Sequence, residues 1–152
     1  MRITPLFGFG LTVIMAATAA GQGGPRVIRH VEVYNQPGRF AGWPANNGIW
    51  NWGDEIVVGF TLGYHKQKSG HTIDSERPSG PRQARSQDGG LTWTVERPSY
   101  IGENEVQRDT TALSGSVDFT APDFAARFRE DRFYYSLDRC RSWEGPFALP
   151  TF

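Results

Sequence analysis

Cysteine is nearly missing from this chain. Cys140 is the single one, so no internal disulfide can form and the fold has to rest on its core. An excess of either charge is missing too: sixteen Lys and Arg balance sixteen Asp and Glu, leaving no long-range field to draw the protein to nucleic acid or an anionic membrane surface. Metal-ligand spacing is absent, because His30, His65 and His71 form no His-Glu-x-x-His pattern and there is no Cys pair. The reading is therefore no metal and no cofactor. The Gly-x-Gly pattern Gly8-Phe9-Gly10 lies inside the N-terminal leader and is no nucleotide loop.

What is abundant is turn chemistry. Eighteen Gly and ten Pro, with 13% aromatics in 152 residues, would break helices, and they indicate a single all-β domain rich in turns. The N-terminus has a different character. Arg2 precedes an apolar run over residues 6–17, and Ala17-Thr18-Ala19-Ala20-Gly21 supplies the small residues of a cleavage site. About a dozen apolar residues fall short of the ~20 that span a bilayer, so residues 1–20 read as a secretory signal peptide. The mature protein is expected outside the cytoplasm, secreted or periplasmic, with no membrane span.

Strand patterns follow. Residues 26–34 alternate with imperfect sidedness, residues 49–52 form a short strand, and residues 55–62 are apolar on both faces, as a buried central strand would be. Residues 63–81 make a long polar connection, of a length that is usually functional. Residues 115–120 read as a strand, 121–130 as a short helix or an irregular turn, and 131–136 as an aromatic strand. Trp43, Trp50 and Trp52 either form a stacking platform for a sugar or belong to the core. Tyr134 and Tyr135 read as core and face residues of their strand.

One stretch recurs. Ser86-Gln87-Asp88-Gly89-Gly90-Leu91-Thr92-Trp93 is a tight turn: Asp88 accepts from its amides, the glycines permit positive φ, and Thr92-Trp93 restarts a strand. Fifty positions later Ser136-Leu137-Asp138-Arg139-Cys140-Arg141-Ser142-Trp143 repeats it, with Cys140 where the first copy has glycine. That substitution is expected to cost about 1 kcal/mol of backbone strain. A period of this length with strands and no helices is the mark of propeller blades of four strands.

The pattern Ser-x-Asp-x-Gly-x-Thr-Trp, complete at Ser86, Asp88, Gly90, Thr92 and Trp93, resembles the Asp-box, or bacterial neuraminidase repeat, of six-bladed sialidase-like propellers. The resemblance implies about two blades of four antiparallel strands, blade one over about 26–98 and blade two over about 99–152, the first third of a propeller. It makes Asp88 structural, because the box lies on the rim away from substrate. It also implies that Arg39, in Arg39-Phe40-Ala41-Gly42-Trp43-Pro44, is an altered form of the family's Arg-Ile-Pro motif and binds the substrate carboxylate. The catalytic acid/base falls in the long polar loop, at Asp74, with Glu76 next in line. The remaining arginines and the Tyr/Glu nucleophile pair are expected from later blades. The function implied is an exported exo-alpha-sialidase-type glycoside hydrolase acting on a sialoside or similar glycan; the alternative is a non-catalytic Asp-box propeller that binds glycan or protein.

Overall fold

The computed structural model describes residues 29–101 and 109–149. The chain divides into two units, Met1–His30 and Val31–Phe152, and every strand described lies in the second. The expected signal peptide over residues 1–20 lies outside the described residues.

The architecture is all-β and antiparallel, with one helical turn. β1 (Arg39–Gly42), α1 (Pro44–Asn47), β2 (Ile49–Trp52), β3 (Glu55–Tyr64), β4 (Gly80–Ser86) and β5 (Thr94–Glu96) come first. The β-branched and aromatic run Ile56-Val57-Val58-Gly59-Phe60 suits a pleated, paired backbone and places β3 at the centre of the first sheet. One edge of β3 carries both β1, from Arg39 opposite Tyr64, and β2, from Ile49 opposite Val58. The other edge carries β4, which in turn pairs with β5. The sheet is thus a meander of four positions whose first is split by α1.

That split has a steric cause. Pro44 opens the single turn and cannot donate to a ladder, and Trp43 and Gly48 on either side take φ values of 56° and 94°. The turn folds onto β3 at Gly59, whose amide donates to Gly48 O at 2.8 Å. A Cβ at Gly59 would lie 2.4 Å from Asn47 O, so only glycine permits this approach.

The second sheet is the meander β6 (Ala125–Arg129), β7 (Arg132–Ser136) and β8 (Glu144–Ala148). The sheets share one core of Val57, Tyr100, Ile101, Ala125, Tyr134, Cys140 and Trp143, against which Trp50 and Trp52 pack. Trp50 meets Trp143 edge-on at 5.3 Å between ring centroids.

Three local expectations are corrected. Residues 29–34, the described part of the first expected strand, form none, because β1 and β2 already occupy that edge of β3; Tyr34 packs its ring on Phe60 at 5.6 Å instead. Residues 115–120 are not a strand either. Gly115 has φ 89°, and Asp118 Oδ1 accepts from Thr120 N and Oγ1 at 2.8 and 2.6 Å, a side-chain turn that competes with ladder pairing. Within residues 121–130, expected as helix or irregular turn, Ala125–Arg129 is instead strand β6. Glu130, at φ 55°, closes a tight turn into β7, and cross-strand pairing with the aromatic β7 overrides the helix propensity of the alanines. The second sheet therefore has three strands among the described residues, not four.

Candidate functional site

Both repeated turns are cages closed by one carboxylate and two hydroxyls. In the first, Asp88 Oδ1 accepts from Leu91 N at 3.0 Å and Thr92 N at 2.9 Å, while Oδ2 accepts from Thr92 Oγ1 at 2.6 Å. Ser86 Oγ accepts from Gly90 N at 2.8 Å and donates to Asp88 Oδ1 at 2.8 Å. The second copy repeats each bond. Asp138 Oδ1 accepts from Arg141 N and Ser142 N at 3.0 and 2.8 Å, Asp138 Oδ2 accepts from Ser142 Oγ at 2.6 Å, and Ser136 Oγ accepts from Cys140 N at 2.9 Å. Donors converging on Asp88, Thr92 foremost, bring its carboxyl down to about 2. A carboxylate so saturated stays ionised and holds a turn.

The second turn keeps this geometry without its glycine. Arg139 and Cys140 take φ 58° and 65°, matching Gly89 and Gly90 at 68° and 89°. Burial of Cys140 makes the strained position part of the core and pushes its thiol pKa far up.

Between the two turns lies an ion cluster. Glu55 at the start of β3 accepts from Arg85 Nη1 at 2.7 Å and Arg141 Nη2 at 2.8 Å on Oε1, and from Arg139 Nη1 at 3.1 Å on Oε2. Burial opposes the charge on Glu55, but hydrogen bonds from Arg139 and Arg85 and the charge of Arg141 outweigh it and lower its pKa. The cluster joins the two sheets.

Arg39 and Asp74 both converge on Tyr64. The Arg39 guanidinium lies 4.1 Å from the centre of the Tyr64 ring, which Arg77 also contacts at 3.2 Å, and Arg39 Nε is buried without a hydrogen bond. The loop over residues 65–79 folds back so that Asp74 N donates to Tyr64 O at 2.8 Å, and His65 bridges Ile73. The Asp74 side chain, 14% exposed, accepts from Glu76 N at 3.1 Å and lies 3.7 Å from Lys66 Nζ. Glu76 is 78% exposed and pairs with the same Lys66 at 2.7 Å, which raises the Lys66 pKa.

Beside this loop opens a cleft of about 910 Å³ between α1 and β6, lined among others by Trp43, Asn47, Thr61, Ile73, Ser75 and Arg127. Ile73 and Ser75 flank Asp74, whereas Asp74 and Arg39 themselves are not on the cleft wall. Of the three tryptophans weighed as a sugar platform, Trp43 faces the cleft; Trp50 and Trp52 belong to the core. Tyr134 is 1% exposed in the core, and Tyr135 stacks on Phe147 at 5.7 Å on the opposite face.

Arg127 is the site residue that the sequence did not reveal. It is buried, and its Nη2 donates to Asn47 Oδ1 at 2.5 Å. Burial, with Arg129 nearby, lowers its pKa to about 10. No motif surrounds it; the available signal was the alternation Ala125, Arg127, Arg129 against Ala126, Phe128 ahead of an aromatic strand.

Compared with protein-family models, with curated proteins and with solved structures, the chain matches none of them.

Proposed function

We propose that this protein is an exported, sialidase-like glycoside hydrolase and that its two sheets are successive blades of an Asp-box propeller. The observation that carries this reading is the pair of turn cages fifty residues apart, bonded alike through Ser86/Asp88/Thr92 and Ser136/Asp138/Ser142. Aromatic residues on the second sheet's other face support it as well. Phe119 and Phe128 are 60% and 56% exposed over the buried Phe133, the kind of apolar surface on which a next blade would pack.

In this reading Arg39 binds the substrate carboxylate and Asp74 is the acid/base. Its carboxyl protonates the departing glycosidic oxygen, and the resulting carboxylate then takes a proton from the attacking water. The nucleophile and further arginines come from blades beyond these two. Hydrolysis of a fluorogenic sialoside by the full-length protein is the test, with Asp74→Asn expected to lower turnover by about a hundredfold or more. Undiminished turnover in that variant removes Asp74 from the mechanism, and no turnover in the parent removes the hydrolase reading.

One observation favours the second reading, a non-catalytic Asp-box propeller that binds glycan or protein. The Asp74 carboxylate is engaged by its own loop, through Glu76 N and beside Lys66, as a turn-forming acid would be.

A further inference from the structure

Two arginines in this molecule are buried to the same extent, each 6% exposed. Arg85 meets carboxylates on both sides, Glu55 at 2.7 Å and Glu96 at 2.9 Å. Arg127 meets no carboxylate among the described residues; its Nη2 donates to the neutral Oδ1 of Asn47, a side chain that is itself buried. A guanidinium removed from water without a counter-charge is costly, and an amide oxygen offsets less of that cost than a carboxylate does.

The amide that holds Arg127 is also the one placed to become a carboxylate. Of the five asparagines in the chain, Asn47 alone precedes a glycine. A glycine nitrogen, with no side chain beside it, is the least hindered backbone nucleophile toward the carboxamide of a preceding asparagine. Here the fold itself requires that glycine: Gly48 has φ 94°, and a Cβ on it would lie 2.3 Å from the Trp50 ring. Arg127 Nη2 stands at Asn47 Oδ1, where negative charge develops when the carboxamide carbon is attacked, and so stabilises that oxyanion. The turn that restrains the nucleophile is slight. α1 has four residues and no side-chain cap, and the bond that must open is Gly48 N to Pro44 O, at 2.9 Å. Asn47 and Gly48 both line the open cleft, so water reaches them.

We propose that Asn47 is a self-modification site: it deamidates to aspartate, and the carboxylate so formed becomes the counter-charge of Arg127. The Gly48 nitrogen passes its proton to water and bonds to Asn47 Cγ; the Cγ–Nδ2 bond breaks, and the departing nitrogen takes up a proton and leaves as ammonia. Water then adds to Cγ of the cyclic imide, the bond from Cγ to Gly48 N breaks, and that nitrogen regains a proton. One water is consumed and one ammonia released, with no change in oxidation state. Opening at the other carbonyl would leave an isoaspartyl linkage, one carbon longer in the main chain. The fold disfavours that product, because Asn47 O packs 2.4 Å from where a Cβ on Gly59 would stand and Gly48 O accepts from Gly59 N at 2.8 Å. The new ion pair ties α1 to β6 across the two sheets, independently of any glycosidase activity.

Peptide mapping by mass spectrometry tests it, with fragmentation that separates aspartate from isoaspartate, on the full-length chain kept folded in mildly alkaline buffer and on the same chain in urea. The expected result is conversion at position 47, already present on purification or reached during incubation, with aspartate about tenfold or more in excess over isoaspartate in the folded protein and isoaspartate prevailing in urea. Arg127→Gln is expected to lose that preference about tenfold while near-UV circular dichroism reports a native fold. If that variant does not fold, Asn47→Asp carries the test. It should melt above the unconverted parent at neutral pH, and the advantage should vanish in acid as the carboxylate is protonated. An amide that persists in the folded protein while it converts in urea, the same isoaspartate excess in both, an undiminished preference in folded Arg127→Gln, or Asn47→Asp melting no higher than the parent overturns the proposal.

Discussion

Gln83 Oε1 accepts a hydrogen bond from Trp143 Nε1 at 3.2 Å across sixty residues of sequence. The equivalent tryptophan of the first turn, Trp93, donates at 3.0 Å to the carbonyl of Gly90 in its own turn. The same box position thus serves the turn in one copy and the junction of the two sheets in the other. Gln83 also donates to Cys140 O at 2.8 Å, so one buried side chain reads both the indole and the backbone of the second turn.

Gln83→Leu should therefore orphan a buried N–H and a buried carbonyl and destabilise the protein by about 3 kcal/mol. Trp93→His, which shortens a half-buried indole contact local to one turn, should cost about 1 kcal/mol. Urea unfolding midpoints at unchanged slope measure both, and equal losses would show that Gln83 has no special place at the junction.

Glu55→Gln should leave Arg85, Arg139 and Arg141 facing a neutral amide. The expected loss is about 3 kcal/mol, at the low end for a broken buried pair because Arg139 and Arg141 are partly exposed. Because the Glu55 pKa is lowered in the folded state, its contribution is present above the usual glutamate pKa and disappears as pH falls below it. The melting temperature of Glu55→Gln should accordingly approach that of the parent in acid.

Asp88 gives a second acid-sensitive element. With a folded pKa of about 2 against an ordinary value of 3.8, its stabilisation is complete above pH ~4 and is lost as pH falls toward 2. Asp88→Asn should be less stable than the parent at neutral pH and should lose less stability between pH 4 and pH 2. Thermal melts across that interval check this; a parallel decline in both proteins would mean that the cage contributes nothing through its charge.

Cys140 should be chemically silent in the folded protein. It is fully buried and burial raises its pKa, so the thiolate that reacts is scarcely formed. Titration with an aromatic disulfide reagent at mildly alkaline pH is expected to modify no thiol in the native state and one per chain in denaturant. Rapid labelling of native protein would contradict the buried placement.

Local chemistry was legible in the sequence wherever side chains bond to their own neighbours. The turn cages involve residues two to four positions apart, and β2, β3 and β7 announce themselves by β-branched or aromatic content. The second turn was readable despite Cys140, because Ser136, Asp138 and Ser142 supply the same donors and acceptors at the same spacing. β6 was not, since Ala-Ala-Arg-Phe-Arg has no strand preference strong enough to outweigh its alanines until β7 is beside it.

What the sequence by itself determined is an all-β chain with a repeated, carboxylate-closed turn, because those features depend on contacts within a few residues. Only the tertiary structure decided which arginines are neutralised. Arg85 and Arg127 look alike in sequence, yet β3 and β5 bring Glu55 and Glu96 to the first, while α1 brings only Asn47 to the second. Charge compensation is a property of neighbours eleven to eighty residues apart, and no local pattern encodes it.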